Sequence, residues 1–212
     1  MNKVSVIDYD AGNTMSVVKA LEYLGMNVEL TGDKKSLVSS DRIVFPGVGA
    51  YFDAMKKLEK NRLIDCIKEI VSKGTPFLGI CLGMQMLFDY SEETIGLSDA
   101  SIKSVPGLGI LGGSISKFDD NMGLKIPHMG WNSLDFTGNS KVLFKDIPNN
   151  SYVYFVHSYY LKACNVSDVA ATCKYGIDFD AAVEKGNIMG CQFHPEKSGD
   201  TGLQILKNFC SY

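Results

Sequence analysis

The chain has 212 residues, 45% of them apolar and 21% charged, with 21 glycines and 6 prolines, the make-up of one compact domain able to bury its own core. That excludes disordered and fibrous classes. The 21 Lys and Arg stand against 24 Asp and Glu with no long run of like charge, so neither nucleic acid nor an anionic membrane is expected as a partner. Residues 4–7 are too short an apolar run for a signal peptide, and glycines and a proline interrupt the blandest stretch, 74–88, so a soluble cytoplasmic protein is expected.

Residues 4–7 read as a buried strand. Asn13-Thr14 offers an N-cap to a helix whose apolar positions Met15, Val18, Leu21 and Leu24 recur at helical spacing until Gly25. Residues 27–31 and 42–45 read as strands, the latter ending at Pro46-Gly47. Leu63, Ile64, Ile67, Ile70 and Val71 mark a helix closed by Lys73-Gly74, and residues 76–80 give a fourth strand. A helix over 84–90 is expected next. Beyond about residue 94 come β-rich segments at 114–118, 125–136 and 151–161. A last helix over 199–210 has Leu203, Leu206 and Phe209 on one stripe. Strands alternating with helices imply an α/β fold with a mostly parallel central sheet, helices on both faces and a β-rich second half. Ligands of such sheets bind at the carboxyl ends of the strands, here just after Ile7, Phe45 and Ile80. No repeat or linker divides the chain, so residues 1–212 are expected to form a single domain.

Six cysteines are present, Cys66, Cys81, Cys164, Cys173, Cys191 and Cys210, with no C-x-x-C pair; neither a disulfide framework nor a metal site is expected. One of them stands apart. Gly79-Ile80-Cys81-Leu82-Gly83 joins a buried strand to a helix, the setting of a nucleophile elbow with cysteine in place of serine. The helix N-terminus behind it would favour a thiolate. A buried cysteine between two packing glycines has the same signature. A thiolate nucleophile needs a base, and of His128, His157 and His194 the best placed is His194, in Gln192-Phe193-His194-Pro195-Glu196. Pro195 biases His194 to an extended backbone, which would let Glu196, two residues on, share its side and fix its tautomer. Pro46-Gly47-Val48-Gly49-Ala50 ends a strand beside the expected cleft. Its glycines would let an N–H swing toward a ligand and, with the N–H of Leu82, complete an oxyanion hole.

Gly79 to Gln85 together with His194-Pro195-Glu196 resembles the class I (triad) glutamine amidotransferases, whose fold is flavodoxin-like. Asp8-Tyr9 with Gly12-Asn13, the Pro46 to Ala50 segment, Ile126-Pro127-His128-Met129-Gly130-Trp131-Asn132, Tyr154-Phe155-Val156-His157-Ser158-Tyr159 and His194-Pro195-Glu196-Lys197-Ser198 are similar to the glutaminase subunits of imidazole glycerol phosphate synthase. Asp10-Ala11 departs from that pattern, which more often has glycine first. The resemblance implies Cys81 as nucleophile, His194 as base and acid, and Glu196 as its orienter. It implies Val48 and Leu82 as oxyanion donors, and Gly49, Gln85, Ser158 and Tyr159 around a glutamine substrate. Asn13, Trp131, Tyr154 and Lys197 would face a (β/α)8-barrel cyclase that receives ammonia, with no cofactor. As residues alone, Trp131 and Tyr154 would ordinarily be core aromatics and Lys197 a solvated charge. A paralogue feeding another acceptor, such as a sugar acid, would keep the same motifs. A non-catalytic regulatory subunit on this fold is argued against by the intact Cys81, His194, Glu196 and Gln85, and a cysteine peptidase is the remaining rival, distinguished by whether peptides or free glutamine are cleaved.

Overall fold

The computed structural model describes residues 3–10, 14–97, 99 and 101–212. Strand β1 (Lys3–Ile7) is followed by α1 (Thr14–Tyr23), β2 (Asn27–Thr31), α2 (Lys34–Val38), β3 (Arg42–Gly47), α3 (Tyr51–Lys60) and α4 (Ile64–Ser72). Then come β4 (Phe77–Cys81) and a single helical turn, α5 (Leu82–Gln85). The second half contains β5 (Tyr90–Ser91), β6 (Val105–Pro106), β7 (Gly113–Lys117), β8 (His128–Ser133), β9 (Asp135–Phe136), β10 (Tyr152–His157) and β11 (Tyr159–Ala163). It continues with β12 (Val169–Tyr175), β13 (Ile177–Lys185) and β14 (Ile188–Cys191), a 3-10 turn at Pro195–Lys197, and α6 (Gly199–Ser211).

Strands β2-β1-β3-β4-β14 run parallel, and the sheet continues antiparallel through β13, β11 and β7, with β12 on the outer side of β13. Strands β8 and β10 form a separate antiparallel ribbon that sets Trp131 opposite Tyr154 and His128 opposite His157. Both faces of the parallel strands are covered, which is why β1, β3 and β4 read as continuous apolar runs. One face packs Val4, Val6, Val44, Leu78 and Ile80 against Val17 and Leu21 of α1 and Leu206 and Phe209 of α6. The other packs Ile43, Phe45 and Phe77 against Leu37, Leu58, Ile67 and Ile70 of α2 to α4. Each such side chain contributes roughly 1.5–3 kcal/mol by burial.

The structure departs from the sequence reading at several elements. Helices α2 and α3 add to the expected set; Asp33 caps α2 by accepting from the Ser36 N–H at 2.9 Å. In α1 the buried face is Val17, Val18 and Leu21, and Met15 is exposed. The helix expected over 84–90 starts at Leu82 and ends at Gln85. Beyond it the carbonyls of Met86, Leu87, Phe88 and Asp89 accept from Leu108, Ile110, Gly109 and Gly107 N–H groups, so that loop, rather than a next helical turn, takes the backbone hydrogen bonds.

Candidate active site

Four strand ends converge on one region. Tyr9 follows β1, Val48 follows β3, Cys81 ends β4, and His194 follows β14. Cys81 has φ 54° and ψ −114°, a left-handed backbone that a non-glycine residue adopts only under constraint. The constraint is steric. A Cβ on Gly79 would lie 2.7 Å from the Met84 Cα, and one on Gly83 would collide with the Phe45 carbonyl of β3. The elbow exists because α5 presses against both strands. Gly47 is hemmed in as well, since its Cβ would stand 2.8 Å from the Gly83 nitrogen and from the Tyr9 hydroxyl. Asp10 has φ 63°, so the residue that departs from the family pattern still takes a conformation glycine favours.

His194 donates from Nδ1 to Glu196 Oε1 at 2.8 Å, and both side chains are buried. The contact expected from an extended segment is made differently. Only His194 is extended (φ −101°, ψ 96°), and the 3-10 turn that Pro195 opens brings Glu196 back to the ring. His194 Nε2 is buried with no hydrogen bond closed, on the side left for the Cys81 sulfur. Burial alone would lower the imidazole pKa, but the Cys81 sulfur and the Glu196 carboxylate outweigh it and raise the value to about 10. The other buried thiols are pushed the opposite way from reactivity: burial raises Cys173 to about 12 and Cys210 to about 11, and Cys66 and Cys191 also rise. Cys164 is exposed.

The cleft beside Cys81 has a volume of about 530 Å³ and is lined by Val48, Gly49, Leu82, Gln85, Ser158 and Tyr159, among others. Cys81 and His194 line it too, so the expected nucleophile, base, oxyanion and substrate residues share one cleft, with Glu196 joined to them through His194. Gly49 has φ +99°, open to a side-chain-free backbone, and Leu82, as first residue of α5, has an N–H with no intrahelical partner. Gln85 differs from expectation in its bonding. Its amide nitrogen donates to the Tyr159 carbonyl at 3.1 Å and to Gln192 Oε1 at 2.8 Å, leaving only its carbonyl oxygen for a substrate. The sequence reading missed Glu93, a carboxylate 8% exposed in the cleft wall, whose pKa burial raises. One glutamate of the Glu92-Glu93 pair in a loop carries no local signal.

Trp131 is 56% exposed and is not a core aromatic; Tyr154 is half-buried beside it, with ring centroids 6.2 Å apart. The Tyr154 carbonyl accepts from the His194 N–H at 2.9 Å and its N–H donates to Ser198 Oγ, so this ribbon abuts the turn that carries exposed Lys197. Trp131, Tyr154 and Lys197 thus share one face; Asn13 lies outside the described residues. Among the described residues no group of three or more His, Cys, Asp or Glu could hold a metal, and no helix is long and apolar enough to cross a membrane.

Comparison with known proteins gives the family of the chain. The model of the family "Glutamine amidotransferase class-I" matches residues 5–211. The imidazole glycerol phosphate synthase subunit HisH of Cyanothece sp. is 44% identical over 212 residues, covering 100% of this chain and 96% of the relative. That of Methanosarcina barkeri is 44% identical, covering 99% and 98%. The crystal structure of a glutamine amidotransferase from Thermotoga maritima superposes with a TM-score of 0.62 at 21% identity, covering 99% of this chain and 82% of the other. This last likeness concerns the fold. The chain belongs to the class-I glutamine amidotransferase family and, within it, to the imidazole glycerol phosphate synthase subunit HisH proteins.

Proposed function

We propose that this chain is the glutaminase subunit of an imidazole glycerol phosphate synthase, hydrolysing the side-chain amide of glutamine and passing the ammonia to a (β/α)8-barrel cyclase in histidine biosynthesis. The observation that carries the reading is the Glu196–His194 pair set beside a strained Cys81 in the cleft. The Cys81 sulfur attacks the carboxamide carbon while the N–H groups of Val48 and Leu82 receive the negative charge that grows on the oxygen. His194 protonates the leaving nitrogen, ammonia departs, and a γ-glutamyl thioester remains. His194 then takes a proton from water, which attacks the thioester and frees glutamate and the Cys81 sulfur. Buried Glu93 is placed to receive the substrate's α-ammonium group, and Gly49, Ser158, Tyr159 and the Gln85 carbonyl would frame the rest.

Free ammonia in water is mostly protonated and no longer nucleophilic, so the product needs a covered exit. The face carrying Trp131, Tyr154, Lys197 and Val48, which is 39% exposed, is the docking surface this reading assigns to the cyclase. The test is glutamate release by the chain with and without the barrel protein. Release that needs glutamine and disappears in Cys81→Ala, while added ammonium salts still drive the complex, supports the reading. Full activity of Cys81→Ala would overturn it.

A further inference from the structure

Gln192 lies completely buried, and its amide nitrogen sits 3.6 Å from the Cys81 sulfur. Whether a carboxamide turns its nitrogen or its oxygen to a neighbour is settled by what surrounds it. Here the order can be traced from one group with a single possible role. The Tyr159 carbonyl can only accept; it takes a hydrogen bond from His157 Nδ1 at 2.8 Å and another from Gln85 Nε2 at 3.1 Å. The same Gln85 nitrogen lies 2.8 Å from Gln192, so Gln192 must present its oxygen there. Its nitrogen is then left facing Cys81. We propose that Gln192 is a positioning residue that holds an N–H on the Cys81 sulfur, in an orientation imposed by a one-way hydrogen-bond chain starting at the Tyr159 carbonyl.

The chain extends beyond Tyr159. With His157 Nδ1 donating to Tyr159, its Nε2 must accept from His128 Nδ1 at 2.9 Å, and His128 Nε2 in turn accepts from the Asn132 amide at 3.3 Å. Both rings are neutral in this order. An added proton would face two donors toward each other at one of the links. The carbonyl that anchors Gln85 is therefore tied to β8, the strand that carries Trp131.

The chemical effect follows from the change in the sulfur. As a thiol, Cys81 can donate to the Val156 carbonyl at 4.0 Å while accepting from Gln192. Once the proton has gone to His194, Val156 offers only a lone pair, and the Gln192 N–H is the side-chain amide donor still aimed at the charged atom. The titratable groups facing Cys81 are His194, held by Glu196, the Tyr9 hydroxyl from the loop after β1, and the Cys191 thiol of β14; burial raises the last two and keeps them neutral.

This inference deepens the reading of Cys81 as nucleophile, so its test reads the sulfur without glutamine turnover. In the full-length chain carrying Cys164→Ser, the rate at which iodoacetamide modifies Cys81, located by peptide mapping, is measured against pH. Gln192→Met keeps the volume and removes the donor; Gln192→Glu puts an ionisable acceptor in its place. The pH of half-maximal alkylation should rise by about one unit or more in Gln192→Met and further in Gln192→Glu. In the complex, kcat for glutamine should fall about 10- to 100-fold with KM little changed. An unshifted alkylation profile in either folded variant would overturn the proposal, even if turnover falls. A shifted profile in a chain that does not hydrolyse glutamine would instead count against the glutaminase reading alone.

Discussion

Across the cleft from each other stand two walls built on different physical grounds. On the parallel side, Cys81 is held by backbone shape: β3, β4 and α5 approach so closely that Gly79 and Gly83 have no room for a Cβ. On the antiparallel side, the segment from Val156 to Tyr159 is held by side-chain hydrogen bonds through His128, His157, Gln85 and Gln192. A steric frame admits no added atom and is indifferent to protons. A hydrogen-bonded frame tolerates small changes of volume but depends on which groups carry hydrogen.

The contrast can be broken first where the effect is largest. Gly83→Ala forces a methyl group into the Phe45 carbonyl, and neither strand can retreat without opening the core; a loss of about 3 kcal/mol or more is expected from overpacking. Thermal unfolding reads it, and an unchanged Tm would remove the steric account. Across the cleft, His157→Leu keeps an apolar filler but leaves the His128 Nδ1 hydrogen without an acceptor. The expected cost is about 1–3 kcal/mol in denaturant unfolding, with glutamine KM raised because the Tyr159 segment loosens.

Acid should separate the walls without any mutation. Burial lowers His128 to about 4 and His157 to about 3, with the neighbouring rings adding to the latter, so the folded chain refuses protons that the unfolded chain accepts below its ordinary histidine value of 6.5. The contribution of these two rings is therefore full above pH 6.5 and declines as pH falls toward 4 and 3. His194, raised to about 10, has the opposite sign: its contribution persists in acid and is lost as pH rises through that value. Unfolding free energies that stay flat from pH 7 to 4 would contradict the buried neutral pair. The smallest effect on the chain itself is expected at Trp131, where an exposed ring opposite Tyr154 makes Trp131→Ala nearly neutral, within about 0.5 kcal/mol. The same change should weaken co-purification with the cyclase proposed as its partner, and undiminished capture would take Trp131 off the proposed docking surface.

The steric wall was the more legible in the sequence. Glycines two residues on either side of Cys81, and Glu196 two residues past His194, are local spacings, and the continuous apolar runs of β1, β3 and β4 mark strands buried on both faces. The hydrogen-bonded wall was hidden because its partners are remote: Gln192 reaches Cys81 across 111 positions and Gln85 across 107. The same holds for elements. Helix α3 buries only Tyr51, Ala54 and Leu58 among charged neighbours, too thin a stripe to stand out, and β12 has irregular register against β13 between Val169 and Thr172, which erases a period of two.

The contact between Gly83 and the Phe45 carbonyl also bears on how such a chain can drift. A single nucleotide change in a glycine codon leads only to glycine, to a stop, or to a residue that carries a Cβ, so no one-step coding change at position 83 is small enough for the space available. The neighbouring strand cannot yield first, because its carbonyl position is fixed by the sheet. The elbow should therefore behave as an inherited unit, passed on whole or lost, while the polar wall opposite can exchange one hydrogen-bonding residue for another by separate steps.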